Sequence, residues 1–270
     1  MDNKPKKWSY IYLVFVFILM YAPIFYLIFY SFNKGDYMSG FEGFSLRHYG
    51  DMFADTRLME ILVNTFIVAL LSSVIATLIG TFGALGVYNT KRRGTKNLLL
   101  SLNNVLMVSP DVIIGASFLI FFTMIGMSLG FGSVVLSHIA FSIPIVVLMV
   151  LPRLNEMNPA LIDAARDLGA SNYQVLSRVV LPYAWPGILA GFFMAITYSL
   201  DDFAVTFFVT GNGFSTLSVE IYSRARQGID LSINSLSALM FLLSLLLVTN
   251  YSMKSSKKKR GGAAGMVVHQ

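Results

Sequence analysis

Residues 10–32 form a run without a single charged side chain. A helix needs about 20 mostly apolar residues to cross the hydrocarbon of a bilayer, and an uncharged run of this length suits that role. Lys4, Lys6 and Lys7 precede it, as they would in a secretory leader. The run nevertheless outlasts a leader's apolar core of about 7 to 15 residues, and no small-residue cleavage pattern closes it. It is therefore expected to remain as a first membrane span. Composition extends the argument to the whole chain, since 56% of the residues are hydrophobic and only 13% charged. A soluble domain carries about a quarter charged residues, so this chain lacks the polar surface to cover a water-facing fold. The expected fold class is all-α, a polytopic membrane helical bundle.

Further apolar runs at 61–88, 98–127, 133–151, 182–209 and 233–253 bring the expected total to six transmembrane helices, which places both termini on one side. Basic residues separate cleanly on that topology. Fifteen of the 20 Lys and Arg fall in the N-terminus, the loops around 91–96 and 153–178, and the tail at 254–260. The other face has Lys34, Arg47, Arg57, Arg224 and Arg226. This bias assigns the termini and the 153–178 loop to the cytoplasm. It also accounts for the net charge of +6, so the basic tail suits topology and anionic lipid and nucleic acid is not an expected partner. The expected organisation is a cytoplasmic N-terminus at 1–9, a permeation domain at 10–253 and a disordered basic tail at 254–270. With no cysteine in the chain, disulfides, thiolate catalysis and zinc–sulfur sites are all excluded. His48, His138 and His269 are too scattered to suggest a metal site.

The segment 151–182 does not read as a plain loop. Asn158 can cap a helix whose first residue is Pro159, where a missing N–H costs nothing, and Gly169 supplies the left-handed conformation that ends it. Ser171 and Gln174 then form a capping box that opens a second helix running to Pro182. Two short helices over 156–181 are thus expected, the first with Leu161, Ile162, Ala164, Ala165 and Leu168 available for docking. On this reading a bulky residue at Ala165 or Gly169 detaches whatever docks there.

Only three acids lie within the expected spans, Asp111, Asp201 and Asp202, and no Lys or Arg lies there to neutralise them. Each costs at least about 2.5 to 3.5 kcal/mol to insert, which makes them functional candidates whose partner is a cation that comes and goes. Along straight helices Asp111 lies roughly 20 Å and Asp201 roughly 28 Å from the cytoplasmic ends, in the outer half of the membrane. Pro110 removes one backbone hydrogen bond and can kink the helix beside Asp111. Adjacent helical residues point about 100° apart, so of Asp201 and Asp202 one can line a pore while the other meets a neighbouring helix. Tyr198 shares their face, and an acid beside an aromatic ring suits an ammonium ion.

The order Asp163-Ala164-Ala165, three residues, Gly169, nine residues, Val179-Val180-Leu181-Pro182 resembles the EAA loop of bacterial ABC-importer permeases. Asp163 stands where that family usually has Glu, and Val179 where it usually has Ile. The segments Met107-Val108-Ser109-Pro110-Asp111, Ser199-Leu200-Asp201-Asp202-Phe203 and Phe208-Val209-Thr210-Gly211 resemble the C-type permease of spermidine/putrescine importers. The resemblance covers nearly the whole chain, from 10 to 253. It implies a MetI-like type I permease fold in a bacterial inner membrane. It implies as partners a sister permease in a heterodimer, two copies of an ATPase docked on Asp163, Ala164, Ala165, Gly169, Leu181 and Pro182, and an extracytoplasmic polyamine-binding protein. It also implies that Asp111, Ser199, Asp201 and Asp202 lie on the polyamine path. The chain has no phosphate-cradling G-x-x-x-x-G-K-[ST] loop, so ATP and Mg belong to a separate ATPase and no cofactor is expected on this chain. The alternatives are a cation- or proton-coupled secondary transporter, in which such acids relay protons, and an ABC permease for another solute such as iron. No nucleophile, base and orienting group recur at a recognisable spacing, so an enzyme is not expected.

Overall fold

The computed structural model describes residues 7–38, 40–228, 231–242 and 245. It divides into two compact units, Arg57–Tyr222 and a second made from the two ends of the chain.

The terminal unit contains α1 (Lys7–Tyr30), apolar on every side and with no buried residue in its membrane-length window. A helix with no polar face and little protein against it is one built for lipid or for another subunit. Phe17, Tyr21 and Phe25 stack along it at i,i+4 spacing, with centroids 6.2 and 6.4 Å apart. The segment after it is folded, because Asn33 donates to the carbonyls of Tyr37 and Gly40 and accepts from the Glu42 amide. It leads into α2 (Arg47–Ala54), whose buried His48 bonds to the Gly35 carbonyl at 3.0 Å. The same unit holds a 2.7 Å ion pair between Arg224 and Asp55 and a described apolar helix, Leu231–Leu242. The rest of the expected sixth span at 243–253 lies outside the described residues apart from Leu245, as do the tail at 254–270 and Lys4 and Lys6.

The larger unit is a bundle around α3 (Thr56–Asn89), α6 (Phe131–Glu156) and α8 (Asn172–Asp201). Glycines set how closely these helices approach. A Cβ on Gly80 of α3 would lie 2.7 Å from the Cβ of Val146, and one on Gly187 of α8 would lie 2.8 Å from the Met149 carbonyl. Backbones can close to this range only where side chains are missing, which is how membrane helices gain dispersion energy without help from water. One apolar cluster, including Leu85, Val146, Val150, Leu154 and Val180, fills the bundle toward the α6–α8 connection. A second, with Val68, Ile114, Phe141, Val205 and Val209, fills the opposite half.

Three expectations change here. The third span is broken: α4 (Arg93–Val108) and α5 (Asp111–Met124) meet at Ser109-Pro110 with a bend of 103°. Pro110 has no N–H to continue the ladder, and Ser109 is forced into extended backbone before it. A ruler laid along a straight helix therefore does not locate Asp111. The fifth span is also displaced, because α8 begins at Asn172 and runs through Pro182 to Asp201. A π-helical turn at Leu176–Val180 lies immediately before Pro182, where a wider turn loosens the ladder that the proline interrupts. The second short helix and the fifth span are thus one element, and the span ends at Asp202-Phe203 before a short α9 (Ala204–Val209). Finally, the far-side segment that follows holds a further helix, α10 (Leu217–Gln227), tied to α3 by the Leu217 amide on Thr65 Oγ1.

The α6–α8 connection follows its sequence punctuation closely. Asn158 Oδ1 accepts from the Ala160 amide at the start of α7 (Ala160–Asp167). Gly169 ends that helix at φ +82°, and Ser171 and Gln174 cap α8 reciprocally. The two faces of α7 differ. Ile162 and Ala165 pack inward on the apolar cluster, while Leu161, Ala164 and Leu168 are exposed, Leu168 to 89%. Ala165 is half-buried against the bundle, so the side chains of α7 most open to a partner are Leu161, Ala164 and Leu168.

Candidate functional site

Asp202 is not an unpartnered acid. It ends α8 in extended backbone, and its carboxylate turns back to cap α9, accepting from the amides of Val205 at 3.2 Å and Thr206 at 2.8 Å and from Thr206 Oγ1 at 2.7 Å. His138 Nε2 lies 3.5 Å from the same carboxylate and 2.9 Å from Thr206 Oγ1. On the other side of the ring, His138 Nδ1 lies 2.6 Å from Ser199 Oγ, which in turn lies 3.3 Å from Ser72 Oγ on α3. His138, Thr206, Ser199 and Ser72 are all buried. The network joins α3, α6, α8 and α9 through polar atoms that have no water to fall back on.

Asp201, one residue earlier, is exposed and has no hydrogen-bond or ion-pair partner among the described residues. The two acids do face different surroundings, but the cause is the end of the helix and not a 100° helical step: Asp201 is the last residue of α8, and Asp202 turns away in extended backbone. Asp111 opens α5 and is also exposed. Its Oδ1 accepts from the Tyr198 hydroxyl at 3.1 Å, and the Tyr198 ring meets Phe141 edge-on at 5.1 Å. Tyr198 therefore links the two helix breaks, being bonded to one acid and about one helical turn from the other. Ser199, expected on an open path, is instead inside the network.

Sequence reasoning missed His138. It lies in the apolar run 133–151, where any ionisable side chain is a functional candidate, and weighing only acids and bases passes over it. The packing of α5 on α9 was also out of reach. It depends on Gly115, where a Cβ would lie 2.8 Å from Phe208 Cδ2 and 3.0 Å from Val205 Cα.

The bundle thus combines two broken helices with a two-helix connection, and comparison with known proteins gives the family. Residues 76–259 match the family of the binding-protein-dependent transport system inner membrane component. The chain belongs to this family of ABC-importer permeases. The permease is 34% identical over 246 residues to the spermidine/putrescine transport system permease protein PotC of Escherichia coli K12, covering 91% of this chain and 93% of the relative. It is 30% identical to the putrescine transport system permease protein PotI of the same organism, covering 89% of each. Among solved structures, a permease chain of a bacterial ABC transporter that imports the acidic polysaccharide alginate superposes with a TM-score of 0.72 at 16% identity. That match covers 93% of this chain and 94% of the other. The fold is therefore the MetI-like permease fold, and the permease is a multi-pass membrane subunit, not an enzyme. The family match also sets aside the secondary-transporter alternative.

Proposed function

We propose that this permease moves polyamines of the spermidine and putrescine class into the cell. Relatives that carry such names across nine-tenths of their length support the substrate class. The observation that carries it physically is the pair of exposed carboxylates, Asp201, unpartnered among the described residues, and Asp111, which accepts from Tyr198 one helical turn before Asp201. Carboxylates with an aromatic face between them suit a flexible cation with two or more ammonium groups, which each acid holds weakly enough to release. Asp111, Asp201 and Tyr198 contact the cation directly. Ser199 and Asp202 act on it through the architecture of the break.

The termini and α7 lie on the cytoplasmic side, as the Lys and Arg bias requires. There the exposed Leu161, Ala164 and Leu168, flanked by Asp163 and Asp167, enter a groove on a separate ATPase that carries ATP and Mg. Gly169 ends that helix just before α8, and Leu181 and Pro182 follow the π turn inside α8, so movement of the ATPase is delivered to the helix that ends at Asp201. Two ATPase copies and a sister permease complete the importer, and an extracytoplasmic binding protein delivers the cation to the opposite face. Closure of the ATPase dimer then rocks the two permeases between inward and outward states.

The test is reconstitution of the importer in proteoliposomes with its ATPase, sister permease and binding protein. Spermidine or putrescine is expected to stimulate ATP hydrolysis. Stimulation by ferric iron or another solute and by neither polyamine overturns the substrate. The docking face is tested separately: Ala164→Trp is expected to release the ATPase in a pull-down, and full retention contradicts the assignment of that face.

A further inference from the structure

We propose that His138 is a positioning residue for transport, which holds the α8–α9 break in the shape that leaves Asp201 facing the cation. The inference rests on the reading of Asp201 as a cation contact. Its geometric basis is the hydrogen-bond arrangement around the buried ring. Thr206 Oγ1 gives its hydrogen to Asp202 at 2.7 Å, so toward His138 it can only accept. In the neutral imidazole the hydrogen must then sit on Nε2. That leaves Nδ1 as the acceptor for the Ser199 hydroxyl at 2.6 Å. Ser72, the next member, gives its own hydrogen to the Val68 carbonyl at 2.7 Å. With both hydroxyl hydrogens engaged, Ser199 and Ser72 only abut at 3.3 Å, and the ring supplies the donor and the acceptor that join the end of α8 to the start of α9.

No covalent regularity holds this junction. Asp202 is extended at ψ 122°, and α9 has only six residues, so its entry depends on the side chains that meet it. Asp202 caps α9, while His138 braces Thr206 on one side and Ser199 on the other. Ser199 lies two residues before Asp201 on the last turn of α8. Removing the ring's polar atoms frees both ends of the segment that carries Asp201, without touching Asp201 itself. The remaining ionisable groups near the ring are Asp202 from the break and, through Phe141, Tyr198 of α8 and Asp111 of α5.

The tautomer makes the role distinguishable from packing. A glutamine at 138 carries a donor and an acceptor that reproduce the two bonds, whereas leucine keeps the bulk and offers neither. In the reconstituted importer, His138→Leu is expected to raise the KM for spermidine about five- to tenfold with a smaller change in kcat, and His138→Gln to restore KM to within about twofold. With little change in volume, Ser199→Ala removes the bond to Nδ1 and Thr206→Val removes the bonds to Nε2 and to Asp202, and each is expected to raise KM about two- to fivefold. These two decide the matter if a His138 variant does not insert. Wild-type KM in Ser199→Ala and Thr206→Val overturns the proposal, as does a leucine variant that matches the glutamine variant.

A second readout needs no substrate. The chain has no cysteine, so Asp201→Cys creates a single thiol in this subunit. Its rate of modification by a water-soluble cationic thiosulfonate is expected to change about fivefold or more when His138→Leu is added and to stay within about twofold with His138→Gln. Equal rates in all three backgrounds, or no modification in any, overturn the proposal. A His138-dependent rate in an importer that no polyamine stimulates supports the positioning role and removes only the substrate reading.

Discussion

The permease breaks two of its helices, and it does so in opposite ways. At Ser109-Pro110 the cause is covalent: proline cannot continue the ladder, the chain turns through 103°, and Asp111 at the start of α5 stays exposed with one tyrosine bonded to it. At Asp202-Phe203 no proline intervenes. The break is held by side chains, with Asp202 accepting three hydrogen bonds and His138 closing the network behind it. An acid stands at each break. In the first it is exposed, and in the second its oxygens are engaged by the protein itself. Two aspartates that look alike in the sequence thus have different surroundings, and the proposed function gives the first to the cation and the second to the shape of the segment beside it.

The largest effect is expected where the two breaks touch. Gly115 of α5 packs against α9 so closely that an added Cβ would meet backbone atoms of Val205 and Ala204 at 3.0 and 3.1 Å. Gly115→Val should therefore separate both breaks at once, with an overpacking cost of about 1–3 kcal/mol or more and a lower thermal midpoint of the purified complex. Gly83→Ala, whose Cβ would lie at an ordinary 3.6 Å from Val147, should leave the midpoint unchanged. If both variants melt alike, the α5–α9 contact has been overvalued.

Asp202→Ala against Asp111→Ala separates the two roles. The first removes a helix cap worth about 0.5–2 kcal/mol and leaves buried donors without a partner at about 1–3 kcal/mol more, so it should destabilise the complex clearly. The second removes an exposed side chain, should change stability by less than about 0.5 kcal/mol, and should lower uptake instead. Equal melting of the two variants would erase the distinction between the breaks. Tyr198→Phe is the smallest change. It keeps the edge contact with Phe141 and loses only the bond to Asp111, and uptake affinity is expected to fall about two- to fivefold; no change would leave the tyrosine as packing.

What was legible in the sequence follows from the same physics. The first, second and fourth spans showed because apolar length is a local property, and the connection around α7 showed because Asn158, Gly169, Ser171 and Gln174 act on their immediate neighbours. The proline at the first break was visible, although its angle was not, since 103° depends on what α4 and α5 pack against. The second break was hidden. The residue that backs it is a histidine more than sixty positions away in the chain, and nothing near Asp202 announces that its oxygens are already engaged. The π turn that lets α8 run through Pro182 was likewise unreadable, because an ordinary helix start at the proline fits the local sequence as well.

The central claim is that the exposed acids, Asp111 and Asp201, carry the cation. It is tested most directly by the KM for labelled spermidine uptake into proteoliposomes holding the complete importer with Asp111→Asn and Asp201→Asn combined. The account predicts a rise of about tenfold or more, with the ATPase still bound, since two charge-assisted contacts are lost. A wild-type KM in the double variant would contradict it.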